Sequence, residues 1–217
     1  MENRPNKNKK MKKNLKIKVC GMRDPENIRD ILKLKIDFMG FIFYRSSPRN
    51  AKIIPDGIDF GNTKKVGVFV NSTVGEIIKT TMSFDLDYLQ LHGEETPEFC
   101  REVKNTGKRI IKVFSVGDDF DFSVCEEYMD VAEYFLFDTK GKLKGGNGEL
   151  FDWNKLEEYY LDKPFLLSGG ISPEHKESVK KFSHPQLEGI DINSGFETEP
   201  GMKNYKSIKK FLNELRN

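Results

Sequence analysis

From residue 16 onward the chain alternates between two rhythms. Short runs that are β-branched or aromatic, and apolar nearly throughout, give way to stretches with apolar positions at helical spacing. The runs "KIKVC" (16–20), "FMGFIFY" (38–44), "KVGVFV" (65–70), "LDYLQL" (86–91), "RIIKVFSV" (109–116), "EYFLFD" (133–138), "PFLLSG" (164–169) and "EGIDIN" (188–193) predict eight strands. Between and after them the pattern predicts helices over 25–34, 73–82, 96–105, 152–160, 173–182 and 203–215. Two of these open with a cap and a proline, Asp24-Pro25 and Thr96-Pro97, which suit an N-cap followed by the first helical position. The stretch 117–132 is acidic and loosely patterned. The prolines and glycines of 45–64 permit only a short or irregular helix.

Strands mostly followed by helices, and too apolar to face water, require a parallel sheet covered on its outer face. The count of eight favours closure into an α/β (β/α)8 TIM barrel, a single catalytic domain over 15–217, rather than an open doubly wound sheet. No strand is followed by G-x-G-x-x-G and no phosphate-loop G-x-x-x-x-G-K-[ST] occurs, which removes the best support for a nucleotide-type open sheet.

Composition narrows the setting. Hydrophobic residues at 37% and charged residues at 32% describe a globular chain with a well-solvated surface, and no apolar run approaches a membrane span. Cys20, Cys100 and Cys125 are odd in number, widely spaced and without a C-x-x-C pair, so a disulfide framework or zinc site is not expected and a cytoplasmic location is. The net charge of +2 is uneven: residues 1–14 hold six basic side chains against one acid, leaving the remainder at −3. That basic Asn/Lys tail has no interleaved aromatics and reads as a disordered, solvated segment. No nucleic-acid or membrane partner is expected.

In such a barrel the chemistry collects where the strands end. Those ends read Cys20-Gly21; Tyr44 with Arg45 and Arg49 just beyond; Asn71; Gln90, His92 and Gly93; Ser115; Asp138-Thr139-Lys140; Ser168-Gly169-Gly170; and Asp191 through Asn193-Ser194-Gly195. The glycines of the last two turns would let backbone N–H groups close round a phosphate, although each turn could equally be an ordinary tight one. Asp138, at the tip of an apolar strand, suits a general acid if apolar walls surround it, or else a cap. Cys20 is a packing thiol or, with a positive neighbour, a base or nucleophile. The two together read as a base and an acid on opposite sides of one small substrate. His92 could orient substrate or cap a turn, and Asp191 could support a loop. Cys100 and Cys125, away from strand ends, read as structural.

The blocks "KVCGM", "GFIFYRSSPRN", "VGVFVN", "LQLHGEE", "FLFDTK", "GGNGELFDW", "LLSGGI" and "DINSGFETEPGMKN" stand in an order that resembles phosphoribosylanthranilate isomerase over about residues 16 to 215. The resemblance implies the same barrel and an Amadori-type aldose–ketose isomerisation in tryptophan biosynthesis, without metal or organic cofactor. It implies Cys20 as general base, Asp138 as general acid, Arg49 facing the anthranilate carboxylate, and Gly169-Gly170 with Ser194-Gly195 holding phosphate. The partner is then a phosphorylated small molecule, and the protein a monomer or a homodimer. Asn147 and Asn193 depart from the Thr or Ser usual in the family, and both keep hydrogen-bonding capacity. Other phosphosugar barrels fit less well: the histidine-pathway isomerase uses an aspartate where Cys20 stands, and indole-glycerol-phosphate synthase calls for strand-borne lysine and glutamate pairs not found here. A catalytically silent binder of phosphorylated metabolites is the alternative of a different class.

Overall fold

A computed structural model describes residues 15–52, 57–139 and 153–216. The basic tail, Lys140 and the "GGNG" run lie outside them. Eight parallel strands close into a ring in chain order: β1 (Lys16–Val19), β2 (Phe38–Ile42), β3 (Lys64–Phe69), β4 (Tyr88–Leu91), β5 (Arg109–Val116), β6 (Tyr134–Thr139), β7 (Phe165–Ser168) and β8 (Leu187–Ile192), with β8 pairing β1. All eight predicted strands are present within a few residues of their expected bounds.

The sequence also explains the covering layer. Helix α1 (Pro25–Leu32) is capped by Asp24, whose carboxylate accepts from the Asn27 amide at 2.8 Å, with Pro25 at the start. Helix α2 (Val74–Phe84) carries a full Thr73/Glu76 capping box, and α3 (Pro97–Lys104) starts from the Thr96 cap. Two predicted helices take other forms. In place of the helix expected at 152–160 there is a 3-10 helix, Trp153–Glu158. Trp153, Leu156 and Tyr159, spaced by three and all buried, stack on one face of a threefold turn, which an α-helix would fan apart. The 173–182 stretch divides into a 3-10 turn, Pro173–His175, and α4 (Lys176–Lys181). The acidic stretch forms a further 3-10 helix, Phe122–Tyr128, and 45–64 has no helix among its described residues. The chain closes with α5 (Tyr205–Arg216).

One element had no counterpart in the hydrophobic pattern. After β8, the strands β9 (Glu197–Glu199) and β10 (Met202–Lys203) form a small antiparallel hairpin. Its signal was Pro200-Gly201, a dipeptide that favours a turn, and Gly201 has φ +87.

Apolar and aromatic side chains, among them Phe38, Val66, Tyr88, Ile111, Tyr134 and Leu166, plug the barrel. Phe38 packs edge-on to Tyr88 at 5.3 Å between ring centroids. The seam between β1 and β8 leaves no room for bulk. A Cβ at Gly189 would stand 2.2 Å from the Lys16 carbonyl oxygen. Gly189→Ala should therefore cost about 1–3 kcal/mol in urea unfolding; wild-type stability would contradict so tight a seam.

Candidate active site

The strand ends enclose a pocket of about 190 Å³. Cys20 follows β1, its amide donating to the Ile192 carbonyl at 2.9 Å, so the first and last strands together fix its place. Gly21 turns the chain away with φ +77, and a Cβ there would meet Asn193 Oδ1 at 2.8 Å and Arg49 Cδ at 2.9 Å. Opposite, Asp138 lies near the end of β6, with its Oδ2 at 3.5 Å from His92 Nε2. Gly169 and Gly170 follow β7 with φ +98 and +68. Ser194-Gly195 opens the 3-10 turn after β8. These two loops pack closely: a Cβ at Gly195 would come within 2.4 Å of the Ile171 carbonyl oxygen.

Beneath the pocket lies a set of buried charges. Lys18 Nζ donates to Asp191 Oδ1 at 3.0 Å, with the Lys18 side chain wholly buried. Lys203, also fully buried, donates to Asn193 Oδ1 at 2.8 Å and pairs with Glu197. Asn27 on α1 holds Lys203 there, bonding its backbone N–H and carbonyl, each at 2.8 Å. Burial pushes the Cys20 thiol above its ordinary range; Lys18 and Lys203 pull it down and Asp191 pushes it up. Burial also works against charge on Lys18, but Asp191 and Cys20 outweigh it and hold the ammonium above the usual lysine range.

The family model for N-(5'phosphoribosyl)anthranilate (PRA) isomerase matches residues 17–214. The N-(5'-phosphoribosyl)anthranilate isomerase of Parabacteroides distasonis is 45% identical over 204 residues, covering 92% of each chain. The chain belongs to the phosphoribosylanthranilate isomerase family. Among solved structures of that family, one in complex with reduced 1-(o-carboxyphenylamino)-1-deoxyribulose 5-phosphate superposes with a TM-score of 0.78 at 29% identity, covering 94% of this chain and 99% of its own. Another, of monomers generated from the dimeric isomerase of Thermotoga maritima, gives 0.74 at 26% identity, covering 94% and 100%.

Of the residues singled out in this family member's sequence, Cys20, His92, Asp138, Gly169, Gly170, Asp191, Ser194 and Gly195 all line the one pocket, together with Gln90 and Ser168. Arg49 is not among the lining residues. Its Nε and Nη2 are engaged with Glu197, at 2.7 Å for the Nη2 bond. Glu197 is itself held below the usual carboxylate range, because the hydrogen bonds from Arg49 and Lys203 outweigh its burial.

Asp138 shares the pocket with the apolar side chains of Ile42, Val68 and Ile171 as well as with polar groups. The carboxylate is about a quarter exposed (26%) and faces the His92 imidazole, because His92 also projects from a strand end into the same pocket. Nor does His92 cap its turn. That work falls to Glu95, which accepts from the amides of Asn71 at 3.0 Å and Gly93 at 2.9 Å. Glu95 is matched by buried Lys112, whose Nζ lies 2.9 Å from Glu95 Oε2 and 2.8 Å from the Gly93 carbonyl. Cys100 and Cys125 are buried away from the pocket, pushed by desolvation up to about 11 and about 12.

Lys18, Glu95, Lys112, Glu197 and Lys203 escaped the sequence reading. Nothing in the local pattern points to their partners; only Lys18 carried a visible hint, an i,i+2 step from Cys20. Glu95→Ala would leave the buried Lys112 charge with only backbone carbonyls and no counter-ion. It should lower unfolding free energy by about 3–5 kcal/mol in a denaturant titration; a loss under about 1 kcal/mol would mean the pair is dispensable.

Proposed function

We propose that Cys20 and Asp138 carry the family's isomerisation of N-(5'-phosphoribosyl)anthranilate, with Cys20 as general base and Asp138 as general acid. The observation that carries this reading is their convergence on one pocket that also contains both glycine loops. Asp138 gives a proton to the furanose ring oxygen, and the aminoaldose opens to a Schiff base. Cys20, as thiolate, takes the C2′ proton; the resulting enolamine tautomerises to the ketose. Protonation of the ring oxygen accompanies cleavage of its bond to C1′ as the nitrogen lone pair forms the C=N bond, and removal of the C2′ proton delivers the enolamine.

The remaining residues hold the substrate still, where much of the rate advantage of a positioned reactant lies. Gly169-Gly170 and Ser194-Gly195 would receive the phosphate on backbone N–H groups. His92 steadies the Asp138 carboxylate from across the pocket. Arg49 takes the anthranilate carboxylate through Nη1, the nitrogen outside its bonds to Glu197, which fixes the plane of the guanidinium. Asp191 acts from below through Lys18. The substrate is a small phosphorylated molecule, the working form a monomer or homodimer, and the compartment the cytoplasm.

Fluorescence of the anthranilate-containing substrate follows the reaction directly. Cys20→Ala and Asp138→Asn should each reduce kcat by roughly 10²–10⁴ while leaving KM within a few-fold. Near wild-type turnover in either would sink the assignment, and binding without turnover by the wild type would favour a silent module. A pH profile gives an independent check. The Cys20 pKa is raised, so the base form is scarce near neutrality and grows as pH climbs toward it. In Asp138→Asn, where the acid no longer titrates, the residual log kcat/KM should rise between about pH 6 and 8 with slope approaching one; a flat profile in that variant would rule out a high-pKa thiol as base.

A further inference from the structure

The reaction requires a thiol to give up its proton inside a barrel, and burial resists that. Lys18 precedes Cys20 by two residues, so the two side chains leave the same face of β1. The Lys18 ammonium bonds to Asp191 Oδ1 at 3.0 Å, and its charge acts on the Cys20 thiol, favouring the thiolate. A single point on the neighbouring strand, where a Cβ at Gly40 would stand, is 2.8 Å from Cys20 Sγ and 3.2 Å from Lys18 Nζ. Glycine at 40 therefore leaves room for sulfur and ammonium side by side.

Stability alone is a poor reason for charges here. A buried Lys–Asp pair loses in desolvation much of what it gains in attraction, and apolar residues of similar volume often serve as well. Lys203 also contributes to the field at the thiol, but its Nζ is already committed to Asn193 and Glu197. From β8, Asp191 opposes thiolate formation; His92 and Asp138 face the thiol across the pocket.

We propose that Lys18 is a positioning residue for the isomerisation, its ammonium stabilising the Cys20 thiolate while Asp191 keeps that ammonium in register. The inference rests on Cys20 being the base.

Alkylation by iodoacetamide, followed across pH and quantified by mass spectrometry on the Cys20 peptide, reads the thiol without needing turnover. In Lys18→Met the alkylation midpoint should rise by at least about one pH unit, a tenfold loss of thiolate at fixed pH. With Asp138→Asn in the same chain, so that only the thiol titrates, the ascending limb of the residual kcat/KM should move by the same amount, with KM little changed. Should the single variant fail to fold, Lys18→Met/Asp191→Leu removes both charges and is read the same way, with an upward shift again expected. An unmoved midpoint in the variant that folds overturns the proposal. The base assignment fails separately, through turnover in Cys20→Ala.

Discussion

The ring closes on a salt bridge. Lys18 and Asp191 are register partners where β1 meets β8, and the same residues form the buried ion pair beneath the pocket. Strand pairing has a period of two, so a slip of either strand by one residue would turn its charge toward the apolar helices and leave the partner buried and unpaired. Register at this seam is thereby specified by charge as well as by packing. Cys20, hydrogen-bonded to Ile192 across the same seam, faces Asp138 only if that register is correct.

Around this seam the molecule separates two kinds of interior. One part of the barrel is filled by aromatic and branched side chains that need no partner. The pocket end instead holds three buried ionic groups: Lys18 with Asp191, Lys112 with Glu95, and Glu197 with both Arg49 and Lys203. Each fixes a strand end or loop that carries a pocket residue. Glu95 and Lys112 shape the turn beyond His92, and Glu197 restrains Arg49. The separation matches a fold in which one face supplies stability and the other chemistry.

The barrel was legible because parallel strands buried on both faces leave near-continuous apolar runs, and eight of them are hard to mistake. The pocket was largely legible because the fold assigns chemistry to strand ends, where Cys20, His92, Asp138 and the late glycines stood in plain view. What stayed hidden were partnerships across long separations. Nothing near Lys18 in the sequence announces Asp191, and nothing near Arg49 announces Glu197. The neighbour of Asp138 was hidden in the same way: His92, from the end of β4, lies 3.5 Å away across 46 positions of sequence. The 3-10 helix at Trp153–Glu158 shows a milder case, in which a spacing of three fits either helix type until burial decides.

Because Lys18 and Asp191 are separated by 173 positions, the site has a consequence for how the protein comes into being. During synthesis the first strand leaves the ribosome with its lysine and thiol unpaired, and almost the whole chain must follow before their partners emerge. Asn27 waits still longer for Lys203. Contacts so distant reward folding only after most of the loop entropy has been spent, which makes ring closure a late and slow event. A chain cut short before β8 could build helices and adjacent strands, yet it would hold neither the seam nor the reactive pocket. Catalytic competence thus requires translation at least through β8 and Lys203.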